Sequence, residues 1–204
     1  LPKTLQEAAG RLMTKRDQAG CFGCHTVNAV QNDVIKLDGL IPGVQCENCH
    51  GAAKAHIEGF KDKLVSMPKL GRQTAEEQSE MCGKCHRTWA DIAANGPRGI
   101  GNVRFQPYRL ALSKCYDTED RRIACTACHD PHASRASDVA AYDKACLACH
   151  RKGSTSLKAA VRICEVKPCD CASCHMPSYE IPGSHHEFVD HFIRIARPNE
   201  PYPN

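Results

Sequence analysis

The spacing of apolar residues along the chain predicts short helices joined by irregular loops. In the segment "LQEAAGRLM", Leu5, Ala8, Ala9 and Leu12 fall on one helical face, and this helix is expected to end near Gly20. The alternation of apolar and polar residues that marks a strand is weak throughout the chain. The predicted fold class is therefore mostly α with much irregular loop and few or no strands.

Three local signals place further helices. Thr74 and Glu77 have the spacing of a capping box, which predicts a helix that runs toward Gly96. Pro107 suits the first turn of another helix, where its missing N–H costs nothing. Ser137 suits the N-cap of a third.

Loop signals bear on domain organisation. The segment "ANGPRGIGN", residues 94–102, predicts a loop and a soft boundary between a front and a back part of one domain that covers residues 1–204. The final segment "ARPNEPYPN" holds three prolines and predicts an irregular tail. We expect this tail to be held either by its own body or by a neighbouring molecule.

Composition changes this picture because the side chains alone would make a thin core. Aromatic residues make up 5% of the 204 residues, whereas cysteine occurs 15 times and histidine 11 times. This usage indicates disulfides or a bound metal. A net charge of +4, spread over mixed acidic and basic segments, gives no support for nucleic-acid binding.

The distribution of apolar residues argues against a membrane-spanning segment and against a signal peptide. No apolar run approaches the ~18 residues of a membrane span. The first ten residues, "LPKTLQEAAG", lack a basic segment followed by an apolar one. We therefore expect no signal peptide in this chain, either because none existed or because it has been removed.

Most of the cysteines belong to one repeated motif, C-x-x-C-H, which is typical of c-type haem attachment. Two thiols at this spacing can form thioethers with the two vinyl groups of one porphyrin, and the next histidine then lies under the ring to bind iron. The alternatives are zinc sites and redox thiols, neither of which requires a histidine at this offset six times. The motif predicts six haem c groups and a fold cored by haem. Its cysteines are Cys21, Cys24, Cys46, Cys49, Cys82, Cys85, Cys125, Cys128, Cys146, Cys149, Cys171 and Cys174, and its histidines are His25, His50, His86, His129, His150 and His175.

The histidines outside the motifs are candidates for the second axial ligand of each iron. They are His56, His132, His185, His186 and His191. His56 and His132 lie too close to their own motifs to circle those haems, so we expect each to bind a neighbouring one. Asp190 is a candidate to orient the adjacent His191.

Five such histidines leave six irons one ligand short. Met67, in a Met-Pro pair, is a candidate for the remaining position, where it would raise the potential of that haem. The other outcomes are a different ligand, or an open iron that could serve as a substrate site.

Three cysteines lie outside the motifs. We favour a disulfide between Cys115 and Cys164, with Cys164–Cys169 as the local alternative. The unpaired cysteine would be a free thiol, an intermolecular link or an unusual iron ligand.

Several segments together resemble the multihaem c-type cytochromes, in particular the group containing the tetrahaem cytochromes of ammonia oxidation and their larger relatives. These segments are "GVQCENCHGAAKAH", "MCGKCHRT", "RFQPYRLALSKCY", "CTACHDPHA" and "CASCHMPSYEIPGSHHEFVDH". The resemblance implies that the six motif histidines are proximal ligands and that His56, His132 and some C-terminal histidines are distal ones. It also implies stacked and perpendicular haem pairs that relay electrons. Cys169 does not match the pattern.

These observations favour an electron-transfer protein rather than an enzyme. Because such haems are attached outside the cytoplasm, we expect an exported prokaryotic protein, periplasmic or extracellular. Its expected partners are redox proteins. Two alternatives are a subunit of an extracellular filament that conducts along joined haem chains, and a haem enzyme whose open iron acts on small nitrogen compounds.

Overall fold

A computed structural model describes residues 3, 12–32, 34–61, 67–134, 138–151, 164, 166, 170–182 and 186–203. The chain forms two compact units, Leu1–Gly71 and Arg72–Asn204. The predicted loop at 94–102 lies within the second unit, and the single-domain expectation stays a prediction. None of the described helices is long and apolar enough to cross a membrane.

The described elements confirm a mostly helical and irregular fold with only short strand pairs. The helices are α1 (Lys15–His25), α2 (Cys46–His50), α3 (Lys54–Glu58), α4 (Ala75–His86), α5 (Trp89–Asn95), α6 (Gln106–Ala111), α7 (Cys125–Cys128), α8 (Asp143–Leu147) and α9 (Cys171–His175). Single 3₁₀ turns cover Leu70–Arg72, Gly99–Asn102, Arg121–Ile123 and Val139–Tyr142.

The strands form three antiparallel pairs of two or three residues each. In the first unit β1 (Thr26–Val27) pairs with β4 (Ile41–Pro42), and β2 (Val30–Gln31) pairs with β3 (Val34–Ile35). In the second unit β5 (Ser178–Glu180) pairs with β6 (Glu187–Val189).

The first helix differs from its prediction at both ends. Leu12 is exposed coil, while Leu5, Ala8 and Ala9 lie outside the described residues. The helix begins instead after Thr14, because the Thr14 side chain accepts a hydrogen bond from the backbone N–H of residue 17 in a capping box. It then continues through Gly20 to carry the first motif.

The helix predicted from Thr74 is confirmed at its start but ends earlier than expected. Its capping box is present, and α4 ends at His86. Arg87 adopts a left-handed φ of 61°, which ends the helix, and Thr88 then caps α5 with Asp91. The predicted single helix is therefore two helices joined by a sharp turn.

The other two helix-start signals have different outcomes. Pro107 lies in the first turn of α6, as predicted. Ser137 lies outside the described residues, and the next element, the 3₁₀ turn Val139–Tyr142, is capped by the side chain of Asp138.

The core of the described residues is thin, as the composition suggested. Five of the seven buried apolar residues are alanines, and the other two are Ile92 and Val103. The largest fully buried side chains are those of Arg109, Val103 and Asp190, so two of these three are charged. The chain therefore supplies little apolar volume of its own at the centre of the second unit.

The proline-rich tail is irregular and is held by its own chain. Arg109 Nη1 donates a hydrogen bond to the Pro203 carbonyl at 3.1 Å, and the Tyr202 hydroxyl bonds Asn102 Oδ1. The Tyr202 ring packs edge-on against Tyr179, with ring centres 5.1 Å apart. These contacts account for an ordered tail without a neighbouring molecule, so the tail is no argument for a filament.

Candidate haem-binding sites

Each C-x-x-C-H motif forms one helical turn that places its three reactive side chains together. Four motifs lie within helices α1, α2, α4 and α9. In the other two, the backbone N–H groups of His129 and His150 donate to the carbonyls of Cys125 and Cys146 at 3.0 and 2.9 Å, which completes the same turn. Side chains three and four residues apart share one helix face, so both thiols and the imidazole point the same way.

The motifs of the second unit meet through their first cysteines. The Cys82 side chain of the third motif is hydrogen-bonded to Cys125 of the fourth. This bond and burial raise the pKa of Cys82, and the same bond lowers the pKa of Cys125. Cys146 of the fifth motif likewise bonds Cys171 of the sixth. Four motifs thus form two contacting pairs.

Electrostatic interactions at longer range link the two pairs of motifs. Cys128 of the fourth motif lies within electrostatic range of Cys146 of the fifth. Cys115, outside the motifs, lies within the same range of Cys128 and Cys149. The hydrogen bonds therefore place motif three next to motif four and motif five next to motif six, and the electrostatic interactions bring the two pairs into one neighbourhood.

Burial and one carboxylate also act on the thiols of the last pair. The pKa of Cys171 is raised to about 12, first by burial and then by a hydrogen bond with Asp143. Asp143 itself accepts hydrogen bonds from the backbone N–H groups of Asp170 and Cys171 at the start of α9. The carboxylate thus holds the sixth motif close to α8, which begins at Asp143.

Three imidazoles have one ring nitrogen fixed by an oxygen acceptor. His86 Nδ1 lies 3.1 Å from Gln106 Oε1, His175 Nδ1 lies 2.8 Å from the Arg194 carbonyl oxygen, and His191 Nδ1 lies 3.0 Å from the carbonyl oxygen of residue 189. Since these oxygens only accept, Nδ1 carries the proton in each ring. Nε2 then keeps the lone pair with which a histidine in this tautomer would bind a metal.

One histidine outside the motifs lies opposite a motif histidine. The ring centres of His191 and His129 are 6.2 Å apart, with 31° between the ring planes. An imidazole nitrogen lies about 2 Å from a bound metal and the ring centre about 1 Å farther, so two imidazoles that held one metal between them would have ring centres roughly 6 Å apart. Desolvation lowers the pKa of His191 to about 4, which favours the neutral form that binds metal.

The other candidate distal ligands lie in varied surroundings. His56 lies on α3, with its ring 5.8 Å from the Phe60 ring. His132 is exposed, with Nδ1 3.9 Å from Asp130 Oδ1. His186 is exposed beside β6, and Met67 is half-buried. His185 lies outside the described residues, and all of these remain predictions as ligands.

The predicted role of Asp190 as a partner of the His191 imidazole is wrong. The Asp190 carboxylate accepts hydrogen bonds from Arg109 Nε and Nη2 at 2.8 and 2.9 Å and from Arg194 Nη1 at 2.8 Å. Because these charges are buried together, the carboxylate turns to the guanidinium groups, and the backbone carbonyl of Val189 serves the imidazole instead. Sequence reasoning missed Arg109, which lies 81 residues from its partner.

The favoured disulfide between Cys115 and Cys164 is absent. Both are free thiols. Cys115 lies instead beside Cys128 and Cys149, and burial raises its pKa. The alternative partner, Cys169, lies outside the described residues.

The donor set fits c-type haem. Each motif offers two thiols and an imidazole on one helix face, three imidazoles are held through Nδ1, and the second unit has a thin apolar core. Zinc would instead require four protein ligands around one point. A porphyrin supplies four nitrogens of its own, so a single imidazole on each face completes the iron site.

Comparisons with known proteins also find similarity to proteins that are named as cytochromes. The family model described as "Cytochrome c554 and c-prime" matches residues 3–51. The multiheme cytochrome MtrA of Shewanella baltica is 24% identical over 168 residues, which cover 77% of this chain and 45% of MtrA. Together with the six motifs, these similarities support a multihaem c-type cytochrome family for the chain.

A second relative of the cytochrome is the dissimilatory sulfite reductase MccA of Wolinella succinogenes. It is 29% identical over 105 residues, which cover 44% of the cytochrome and 13% of MccA. The cytochrome spans less than half the length of both curated relatives. No solved structure matches it.

Proposed function

We propose that the cytochrome transfers electrons through six covalently attached haems, one for each motif. The observation that carries the proposal is the pairing of thiols, Cys82 with Cys125 and Cys146 with Cys171, which groups four motifs of the second unit into two pairs that follow chain order. When bound, each haem iron supplies one-electron chemistry by cycling between its ferric and ferrous forms. The protein's own work is to fix the spacing of the haems, their axial ligands and their burial.

The geometry favours His191 as the second axial ligand of the haem held by the fourth motif. Its ring centre lies 6.2 Å from that of His129, close to the separation that two imidazoles on one iron would have, and its Nδ1 is fixed by a backbone carbonyl. His56, His132, His185 and His186 are proposed for other haems, with Met67 a candidate for the position that no histidine fills.

The proposed route through the second unit runs from the third motif to the sixth. Neighbouring motifs would hold their porphyrins close together, which would keep the distance for each electron transfer short. The proposed partners are redox proteins that dock through small, weak interfaces where a haem edge is exposed. The proposed location is periplasmic or extracellular, since c-type haems are attached outside the cytoplasm.

Two measurements on the intact cytochrome test the proposal. Mass spectrometry of the denatured chain is expected to show six haem adducts. Replacing Cys146 and Cys149 by alanine removes the fifth haem and is expected to slow internal electron equilibration at least tenfold after a pulse of substoichiometric electrons.

The matched control replaces Cys21 and Cys24, because the first motif lies outside the proposed route between motifs three and six. It is expected to lose one adduct and to keep the equilibration rate within the second unit. Fewer than six adducts in the unaltered chain would contradict the haem count. Equal effects of the two replacements would contradict the route.

A second candidate function is catalysis at an open iron. It is favoured by the similarity to a protein named as a sulfite reductase and by the shortage of histidine ligands. A high-spin signal in the electron paramagnetic resonance (EPR) spectrum, changed by added sulfite, nitrite or hydroxylamine, would support it. Six low-spin haems indifferent to these compounds would exclude it. Filament assembly stays a prediction, which electron microscopy of the concentrated cytochrome tests.

A further inference from the structure

We propose that the short helix α6, which lies outside every motif, positions the axial imidazoles of three haems. Gln106 acts directly on His86, and Arg109 acts through Asp190 on His191 and His175. The proposal rests on the proposed function, because it concerns the ligands of the third, fourth and sixth haems.

Gln106 is placed to set the orientation and basicity of the His86 imidazole. Its Oε1 lies 3.1 Å from His86 Nδ1, and Pro107 next to it gives the first turn of α6 a fixed φ. A hydrogen bond accepted from Nδ1–H orients the ring and increases the electron density on Nε2. His175 and His191 instead use backbone carbonyls, so His86 has the one such bond, among the three described above, that a side-chain substitution can change directly.

The other two imidazoles depend on one short segment, residues 189–194, which we call the bracing segment. The Val189 carbonyl at its start accepts from His191, and the Arg194 carbonyl at its end accepts from His175. The Arg194 N–H also donates to the His175 carbonyl at 3.2 Å. A displacement of this segment would therefore move the ligands of two haems together.

The bracing segment is fixed internally by Asp190. Besides Arg109, its carboxylate accepts from the Phe192 backbone N–H at 3.0 Å and from Arg194 Nη1 at 2.8 Å. Ser113 adds a second attachment just after α6, since its hydroxyl accepts from the Ile193 N–H at 2.8 Å.

Arg109 ties this segment to α6. Its guanidinium makes a two-pronged hydrogen bond to Asp190, and both side chains are fully buried. The same guanidinium lies 4.6 Å from the centre of the Tyr202 ring and 5.4 Å from that of Phe192. The planar guanidinium is fixed by its two hydrogen bonds and by the two rings, so it holds the Asp190 carboxylate in one orientation. The flexible ammonium group of a lysine would not do so.

Two substitutions of Gln106 give opposite predictions for one haem. Gln106→Glu places a carboxylate against Nδ1–H, makes the imidazole a stronger donor and stabilises ferric iron, so the potential of the third haem falls. Gln106→Leu removes the acceptor, so the potential rises. We expect each reduction equilibrium constant to change by at least tenfold, or about 59 mV for one electron.

The matched control is Gln31→Glu, the same chemical change at an exposed glutamine on β2. Potentiometric titration followed by haem absorbance is expected to show no shifted haem in this control. Shifts of the same sign in both Gln106 variants, or no shift, would overturn the role of Gln106.

The indirect role of Arg109 is tested with Arg109→Lys, which keeps the positive charge and loses the two-pronged hydrogen bond. We expect two low-spin EPR signals to change, those of the fourth and sixth haems, while the signal that responds to Gln106 substitution stays in place. Ser113→Ala removes the other attachment of the bracing segment. It replaces Arg109→Lys as the test variant if that protein does not accumulate with six haems. Unchanged spectra in a fully loaded variant, or changes spread over all haems, would overturn this role.

Failure of the inference is distinguishable from failure of the proposed function. A chain without covalent haem adducts would end both. Six adducts together with unaltered potentials and EPR signals in the variants would leave electron transfer in place and remove only the positioning role of α6.

Discussion

Replacing Arg109 by methionine is expected to cause a large loss of stability, because it leaves a carboxylate buried without its main partner. The substitution removes two hydrogen bonds to Asp190 and one to the Pro203 carbonyl. Breaking a buried ion pair costs about 3–5 kcal/mol. Asp190 keeps its bonds from Arg194 and Phe192, so we expect the lower end, about 3 kcal/mol.

Urea unfolding followed by circular dichroism measures this loss while the haems stay covalently attached. With a slope of about 2 kcal/mol per molar urea, 3 kcal/mol lowers the midpoint by about 1.5 M. The control is Arg122→Met, because Arg122 pairs with Asp120 at 2.5 Å on the surface, with about half of its side chain exposed. Because solvent screens an exposed pair, we expect the midpoint of this control to stay nearly unchanged. Equal midpoint shifts in the two variants would refute the reasoning.

Three further predictions use other described contacts. A Cβ on Gly83 would overlap the Thr88 methyl group, so Gly83→Ala is expected to cost about 1–3 kcal/mol in urea unfolding. Adding Thr88→Ser should recover part of this, and no recovery would contradict the overlap. Burial raises the pKa of Tyr202 above its usual value, so the unfolded state loses this proton first and stability should fall above about pH 10. That slope should be absent from Tyr202→Phe, and an identical slope would exclude Tyr202 as its source. Thr14→Ala should cost about 1 kcal/mol by uncapping α1, whereas Thr14→Ser should retain stability, and equal losses would argue against the cap.

The parts of the fold predicted from sequence are those that local chemistry decides. The capping box at Thr74 and the first-turn position of Pro107 depend on residues within a few positions of each other, and both are confirmed. The end of α4 was missed because Arg87 adopts a left-handed conformation that arginine rarely takes, and nothing in the local sequence marks it.

The candidate sites divide in the same way. The C-x-x-C-H spacing specifies a helical turn with three side chains on one face, so the sequence alone is enough to predict the motif residues as haem ligands and attachment points. The partners of the imidazoles were not, because two of the three are backbone carbonyls, which carry no residue signature. The pairing of Arg109 with Asp190 joins positions 81 residues apart, so no local pattern predicts it. Asp190 was expected to bind His191 because the two are adjacent in sequence, but its buried carboxylate binds the guanidinium of Arg109 instead.

We infer that the buried ion pair between Arg109 and Asp190 orients the bracing segment more than it stabilises the fold. An apolar pair of similar volume is often as stable as a buried ion pair, because desolvation cancels much of the attraction. Arg109→Met combined with Asp190→Leu should therefore recover part of the urea midpoint lost in Arg109→Met alone, although Arg194 loses its carboxylate partner as well. It should not recover the EPR signals of the fourth and sixth haems, because no fork then fixes the segment that holds His191 and His175. Recovery of both properties together would mean that packing alone places these ligands.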